Sequence, residues 1–409
     1  RRYRDDLERL SRRLTFPGVS EPLGEISERL QRTIWPFAEH SFPADEEALF
    51  CAEVDETGYR HADEFLQDLC SVYETLHAEH DGLFAERLAD LIAKVRAFGF
   101  HFATMDIRQD SRVHADVVAD ILEAVPGESG QGSYQELPPA ERLERLQSAV
   151  EALPPAKELI SRLPEGLARD TLLSLQAAIE LQSRNGPRGV HRYIISNCKS
   201  EADVSAVWFL ARAAGLSQDA LPLDIVPLFE TIDDLHSAPR VMERLYDHPT
   251  YSEHLASRGN LQTIMLGFSD GTKDGGYVTA NWEIFMTKRR LTAQAQEHGV
   301  EVVFFDGRGG PPARGGGNSH LFYRSFGRTI ASTEIQLTIQ GQTISSKYGT
   351  CDAARFNLEQ LVSAGLETNL FPEDHTVLSD REIELLGTLS DAAITAYRDL
   401  RNHPEFLAY

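Results

Sequence analysis

The residues in this sequence best placed to do chemistry are acids and cations set among glycines. They lie in Gly267-Phe-Ser-Asp-Gly-Thr-Lys-Asp-Gly-Gly276 and in Phe304-Phe-Asp-Gly-Arg-Gly-Gly-Pro-Pro-Ala-Arg-Gly-Gly-Gly317. Each segment reads as a loop that follows a short apolar run and precedes a helix-like stretch. Glycine removes the side chains that would keep an anion from backbone N–H groups, and Lys273, Arg308 and Arg314 add full positive charge. Arginine suits a phosphate or carboxylate because its planar fork can bind two oxygens at once. Asp270, with Glu230 in Pro227-Leu-Phe-Glu, offers hard oxygens for Mg²⁺ or Mn²⁺. These patterns point to a site for a phosphorylated substrate and a divalent metal.

Each residue has a plainer role open to it. Glu230 could be an acid favoured by a helix N-terminus, a role Asp233 or Asp234 could also fill. Asp270 could close an Asx turn, Lys273 could be a solvated charge, and Arg108 in Asp106-Ile-Arg-Gln-Asp110 could sit in an ion pair. The arginine loop could be an RGG-like RNA binder, but it is a single block, framed by a strong strand, in a chain of net charge −23. The sequence shows no phosphate-binding Gly-x-x-x-x-Gly-Lys-Ser/Thr, no Gly-x-Ser-x-Gly, no His-Glu-x-x-His and no dinucleotide fingerprint.

The elements that must position these residues alternate. Apolar periodicity of three and four makes residues 1–96 helical, interrupted at Pro36 and Pro43. Strand-like runs then recur at 100–108, 191–196, 223–229, 261–266, 301–305 and 334–339, each followed by a helical pattern. Ser200-Glu-Ala-Asp203 opens one of these helices as a capping box. Six β-then-α units in succession predict parallel strands, either open or closed into a barrel. Arg108, Glu230, Asp270, Lys273, Arg308, Arg314 and Gln340 all fall at or just beyond a strand's C-terminal end, the active-site face of a (β/α)8 barrel. The expected fold class is α/β and, if the sheet closes, a (β/α)8 TIM-type barrel that is incomplete in this chain at about six units. The expected domains are a helical region over 1–96, a barrel core over 97–370 with a helical insertion at 123–190, and a helical segment over 371–409.

Charge bounds the partners. A net charge of −23 argues against nucleic acid and anionic membranes, which need a basic face. No apolar run is long enough to span a bilayer, and no secretory signal opens the chain, so the expected location is cytoplasmic. Among basic residues, 34 Arg stand against 6 Lys, which fits either GC-rich coding or adaptation to salt. Cys51, Cys70, Cys198 and Cys351 are widely spaced and read as reduced thiols.

Five motifs, in order, resemble the phosphoenolpyruvate carboxylase family: Met105-Asp-Ile-Arg-Gln-Asp110, Pro227-Leu-Phe-Glu-Thr-Ile-Asp-Asp-Leu235, Gly267 to Gly276, Gly307-Arg-Gly-Gly310 and Gly341-Gln-Thr-Ile-Ser-Ser-Lys-Tyr-Gly349. The resemblance runs from about residue 96 to 349. It implies a barrel heavily decorated with helices. It also implies Glu230 and Asp270 as ligands of Mg²⁺ or Mn²⁺, and Arg108, Arg308 and Arg314 as contacts for substrate phosphate and carboxylate. Lys273 would be a cation on the bicarbonate side and Gln340 a pocket residue, with Arg108, Lys273 and Arg308 the catalytic set. The implied reaction converts phosphoenolpyruvate and bicarbonate to oxaloacetate and phosphate, through carboxyphosphate and a metal-bound enolate. A cytoplasmic homo-oligomer, commonly a tetramer, and a carboxylate effector such as aspartate touching Arg314 are implied too.

Three departures qualify the match. Asp306 stands where many members carry His, so an anion replaces a cation or proton donor. The Thr-Ala-His-Pro-Thr loop and the Gly-Ser-Arg-Pro segment of the family are both missing from this sequence. The expectation is an internal piece of a carboxylase about twice this length, with negligible turnover by itself. Other readings are an inactive anion-sensing scaffold on the same barrel, or another phosphoenolpyruvate-using barrel enzyme of the dikinase type.

Overall fold

The computed structural model describes residues 2–38, 57–128, 130, 132–217, 221–310, 316–331, 333–371 and 377–408. Arg314 and Cys51 therefore lie outside the described residues. The chain forms two compact units, one of residues 1–105 with 177–191, the other of residues 106–176 with 192–409.

The first unit is built on helices. Arg2–Ser11, Ser20–Ala38, Ala62–Glu79 and Ala85–Phe98 turn apolar faces to one core that includes Leu7, Leu23, Phe65, Leu69, Leu76 and Leu88. Phe65 stacks with Phe100, their ring centroids 6.0 Å apart. That contact draws Phe100 into the helical core, and the strand expected over 100–108 begins only at Met105.

The second unit carries a six-stranded sheet in sequential order: β1 (Met105–Asp110), β2 (Val190–Ser196), β3 (Asp224–Phe229), β4 (Leu261–Leu266), β5 (Glu301–Gly309) and β6 (Gln336–Ile339). The pairs β2–β3, β3–β4, β4–β5 and β5–β6 are all parallel. A doubly wound sheet reverses its order at a switch point, whereas uninterrupted sequential order is the winding of a barrel wall. The wall is curved. Arg192 on β2 reaches Asp106 on β1 (Nε to Oδ1, 2.7 Å) and Gln336 on β6 (Nη1 to Oε1, 2.9 Å). In a flat sheet, strands four places apart would be about 19 Å apart, beyond the reach of one side chain. Ile194, Val226, Leu228, Met265 and Phe305 form a single buried cluster from four of these strands. The Arg192 guanidinium lies over the Phe305 ring, 5.2 Å from its centroid. Six strands, not eight, are present among the described residues.

Local sequence explains the crossovers. Asp110 caps Ser111–Ala124, accepting from Arg112 N at 2.9 Å. Ser200 and Asp203 form the expected capping box for Glu201–Ala213, and Thr231 with Asp234 forms another for Ile232–Tyr246. The insertion is helical over Pro139–Glu151, Ala156–Arg162 and Leu167–Asn185.

The first glycine segment differs from expectation. Helix starts directly after Gly267 and runs Phe268–Glu297, broken only at Gly276, whose φ of 78° few L side chains adopt. The break orphans the carbonyls of Lys273 and Asp274. They are satisfied by Asp380–Arg401: Arg401 Nη1 donates to Lys273 O (3.1 Å) and Asp274 O (3.0 Å), and Tyr397 OH to Lys273 O (3.0 Å).

β5 carries an irregularity at the second segment. Asp306 pairs with Leu337 and Gly309 with Ile339, so Gly307 and Arg308 together oppose Thr338. This is a β-bulge, a device that re-aims a side chain at the end of a strand.

Candidate active site

Two groups of polar side chains gather at the C-terminal ends of the strands. The first contains Glu230, Asp270, Arg108 and Lys273. Glu230 follows the last residue of β3, and its Oε2 accepts from Asn197 N at 2.9 Å. Asn197 directly follows β2 and lies in the left-handed region (φ 55°), tolerated by Asn better than by most residues. Its carbonyl accepts from Ser111 Oγ at 2.7 Å, so the ends of β1, β2 and β3 are tied through one residue. Gly267 lies so close to the Glu230 Cα and Cγ that any side chain there would push Glu230 aside.

Burial raises the Glu230 pKa above its ordinary value, the Asn197 N–H opposes the shift, and the Asp270 charge adds to it. The two carboxylates thus lie near enough for their charges to repel. Arg108 Nη2 is 3.6 Å from Glu230 Oε1, a loose and half-exposed pair that leaves the guanidinium free for another anion. Arg108 lies within β1, two residues before its end. Lys273 and Asp270 sit one turn apart on the helix that begins at Phe268, with Nζ 2.8 Å from Oδ1. The loop expected to cradle an anion is instead two helical turns that display an acid and a base on one face.

Glu230 and Asp270 fit a hard cation: both are oxygen donors, and their repulsion is what a divalent ion would relieve. They are two ligands, and no group of three potential ligand side chains occurs among the described residues. Water or substrate oxygens would have to complete the shell.

The second group surrounds Arg308, only 6% exposed. Its guanidinium stacks on Phe322 at 3.8 Å, Nη2 makes one long contact to Gly316 O (3.4 Å), and Nε is buried without a partner. Burial lowers its pKa. Among the described residues no ion pair involves Arg308. Lys347, at the end of Gly341–Tyr348, is lowered first by burial and then by the Arg308 charge, so two cations share one neighbourhood. Gln340 directly follows β6, sits at the N-cap position of that helix without a side-chain capping bond, and lies against Gly310.

Asp306 does not bring an anion to the pocket surface. It is fully buried, with Lys288 Nζ 2.6 Å from Oδ1 and Tyr323 OH donating to Oδ2 at 2.9 Å. Lys347, Lys288 and Tyr323 carried no assignment from sequence. Scarcity was the available signal: three of the six lysines are Lys273, Lys288 and Lys347.

The curved, sequentially wound parallel sheet defines an α/β protein compatible with a partial barrel, with acids and a buried arginine at its strand ends. The phosphoenolpyruvate carboxylase family model matches residues 19–409, and the chain belongs to that family. It is similar to the phosphoenolpyruvate carboxylase of Corynebacterium diphtheriae, 34% identical over 359 residues, covering 86% of this chain and 39% of that protein. Those of Gloeobacter violaceus (36% identity, 85% of this chain, 37% of that protein) and Nitrosomonas eutropha (37%, 84% and 37%) are similar to the same degree. The chain thus spans less than two fifths of the length of these relatives. No helix among the described residues is long and apolar enough to cross a membrane.

Proposed function

We propose that this chain forms the metal- and phosphoryl-binding wall of a phosphoenolpyruvate carboxylase, within a (β/α)8 barrel to which it contributes six strands. The observation that carries the reading is the buried Arg308 guanidinium on β5, in no ion pair among the described residues, on the same sheet edge as the carboxylates Glu230 and Asp270. A buried guanidinium without a counter-ion is costly unless an anion joins it, and a phosphoryl group is the anion its fork suits.

In this reading Arg308 and Lys347 hold the phosphoryl oxygens, and Arg108 holds the substrate carboxylate. Lys273 leaves Asp270 to face bicarbonate, Gln340 lines the pocket, and Arg314 adds a second contact for substrate or for a carboxylate effector such as aspartate. Glu230 and Asp270 would hold Mg²⁺ or Mn²⁺, which supplies Lewis-acid stabilisation of negative oxygen when bound. A bicarbonate oxygen attacks phosphorus, the P–O bond to the enol breaks, and carboxyphosphate and pyruvate enolate result. Carboxyphosphate then releases CO₂ and phosphate, and the enolate methylene carbon bonds to CO₂ to give oxaloacetate. Cations already fixed around the phosphoryl group stabilise the growing charge without reorganising. The reading extends to a cytoplasmic homo-oligomer, commonly a tetramer, as the family resemblance implies.

The test is oxaloacetate formation from phosphoenolpyruvate and bicarbonate with Mg²⁺, coupled to malate dehydrogenase. It should be run on the complete gene product and on the 409-residue chain alone. Turnover is expected from the former, and only weak binding of Mn²⁺ and phosphoenolpyruvate from the latter. No oxaloacetate from either would overturn the proposal.

A further inference from the structure

Lys288 is the most deeply buried cation described, at 1% exposure, and it stands apart from the groups assigned to the reaction. It projects from Phe268–Glu297 toward β5, and its ammonium meets Asp306 Oδ1 at 2.6 Å. Burial lowers the Lys288 pKa, and the Asp306 charge opposes that shift by favouring the ammonium. Three rings complete the cage: Phe326, Phe304 and Phe322, with centroids 4.2, 5.0 and 5.6 Å from Nζ. Such ring faces stabilise a charged ammonium. Tyr323 donates to the other carboxylate oxygen at 2.9 Å. Burial raises the phenol's pKa, with the Asp306 charge acting in the same direction, so it remains a donor.

The same short helix, Ser319–Arg324, also carries Phe322, which lies under the Arg308 guanidinium at 3.8 Å. Asp306 is two residues from Arg308 and close enough for its charge to act on it. A buried carboxylate that near would ordinarily pair with the guanidinium and cancel it. Here both carboxylate oxygens are engaged elsewhere.

We propose that Lys288, with Tyr323, is a positioning residue that neutralises Asp306 and so keeps Arg308 an uncompensated cation for a phosphate-class anion. The inference rests on the reading of Arg308 as an anion site and adds what keeps that site charged. Without Lys288, Asp306 turns its charge on Arg308 and the anion is displaced.

Inorganic phosphate is the probe, titrated by calorimetry into the full chain and into Arg308→Gln, Lys288→Gln, Asp306→Asn and the Lys288→Gln/Asp306→Asn double variant. Thermal unfolding of each sample reads stability separately. Arg308→Gln should abolish binding, which tests the site itself. Lys288→Gln should weaken phosphate binding at least about tenfold, as expected when a nearby buried charge loses its partner. Asp306→Asn should bind within about threefold of the parent even though it leaves Lys288 unpaired, and the double variant should return to that range. A purely architectural ion pair predicts another pattern, in which both single variants lose affinity together as they lose stability. Parent-like binding by Lys288→Gln, or an equal loss in Asp306→Asn, would overturn the inference. If Lys288→Gln does not fold, Asp306→Asn and the double variant decide, because weakened binding in either contradicts the neutralising role. Binding unaffected by Arg308→Gln would remove the anion site and the inference with it.

Discussion

Arg192 Nη1 on β2 donates a 2.9 Å hydrogen bond to Gln336 Oε1 on β6, four strands away in the sheet order. The bond crosses the concave face of the sheet and, with the Arg192–Asp106 pair, links β1, β2 and β6 through one guanidinium. Arg192→Met keeps the stem but leaves Asp106 and Gln336 without their donor. A loss of about 1–3 kcal/mol in urea unfolding is expected. An Arg192→Met/Gln336→Leu cycle should show a coupling of at least about 0.5 kcal/mol, and strict additivity would mean that the bridge does not hold the curve.

Glu230→Gln and Asp270→Asn should each weaken Mn²⁺ binding by at least about tenfold with the fold intact, because hard cations require anionic oxygen. Calorimetric Mn²⁺ titration and circular dichroism on the same samples decide this. Unchanged affinity in both variants removes the pair as ligands.

The raised pKa of Glu230 gives the pH dependence of that binding a definite sign. Only the ionised carboxyl binds metal, so affinity should fall as pH drops through a value above the ordinary glutamate range. The folding contribution runs the other way. The folded state holds the proton more tightly than the unfolded chain, so this group favours folding at low pH and loses that advantage as pH rises. Mn²⁺ affinity that is flat down to the ordinary glutamate pKa would contradict the assignment.

Arg308→Lys keeps the charge and loses the planar fork. In the complete gene product it should cost at least about tenfold in kcat/KM, with phosphate affinity of the chain reduced in parallel. A kinetically silent substitution would show that the bulge does not grip the reacting group.

Two buried histidines predict acid sensitivity. Burial lowers His114 and His254 each to about 4, against an unfolded value near 6.5. Below about 6.5 the unfolded chain takes up protons that the folded chain refuses. Stability should therefore fall between about pH 6.5 and 4, by up to about 3 kcal/mol per histidine, and the contribution should level off below that. His114→Phe gives up the 2.8 Å contact with Tyr193 OH, so it should be less stable at pH 7 yet lose less stability on acidification. An identical pH slope in parent and variant would exclude His114 as a source.

Much of this was legible in the chain. The order of β and α units, the Ser200–Asp203 capping box and the helix Ile232–Tyr246 follow from local periodicity and side chains that bond to their own backbone. The first glycine segment reads as a loop in sequence because glycine is permissive, yet it folds as helix. Helix over Phe268–Gly275 depends on Arg401 and Tyr397, more than 120 positions away, satisfying the carbonyls at the break. The strand start at Met105 likewise depended on a distant ring, Phe65.

The sequence by itself determined which residue types reach the strand ends, because alternation and capping are local and the five motifs mark the family. Only the tertiary structure decided their charge state and company. Asp306 reads in the sequence as an added anion beside Arg308, and folding brings Lys288 and Tyr323 onto it so that it is neutralised below the surface. The curvature, the bulge that re-aims Arg308 and the repulsion between Glu230 and Asp270 were likewise set by contacts between separate strands and helices. Local propensity fixes where an element begins, but the field at a side chain is the sum over neighbours that only packing brings near.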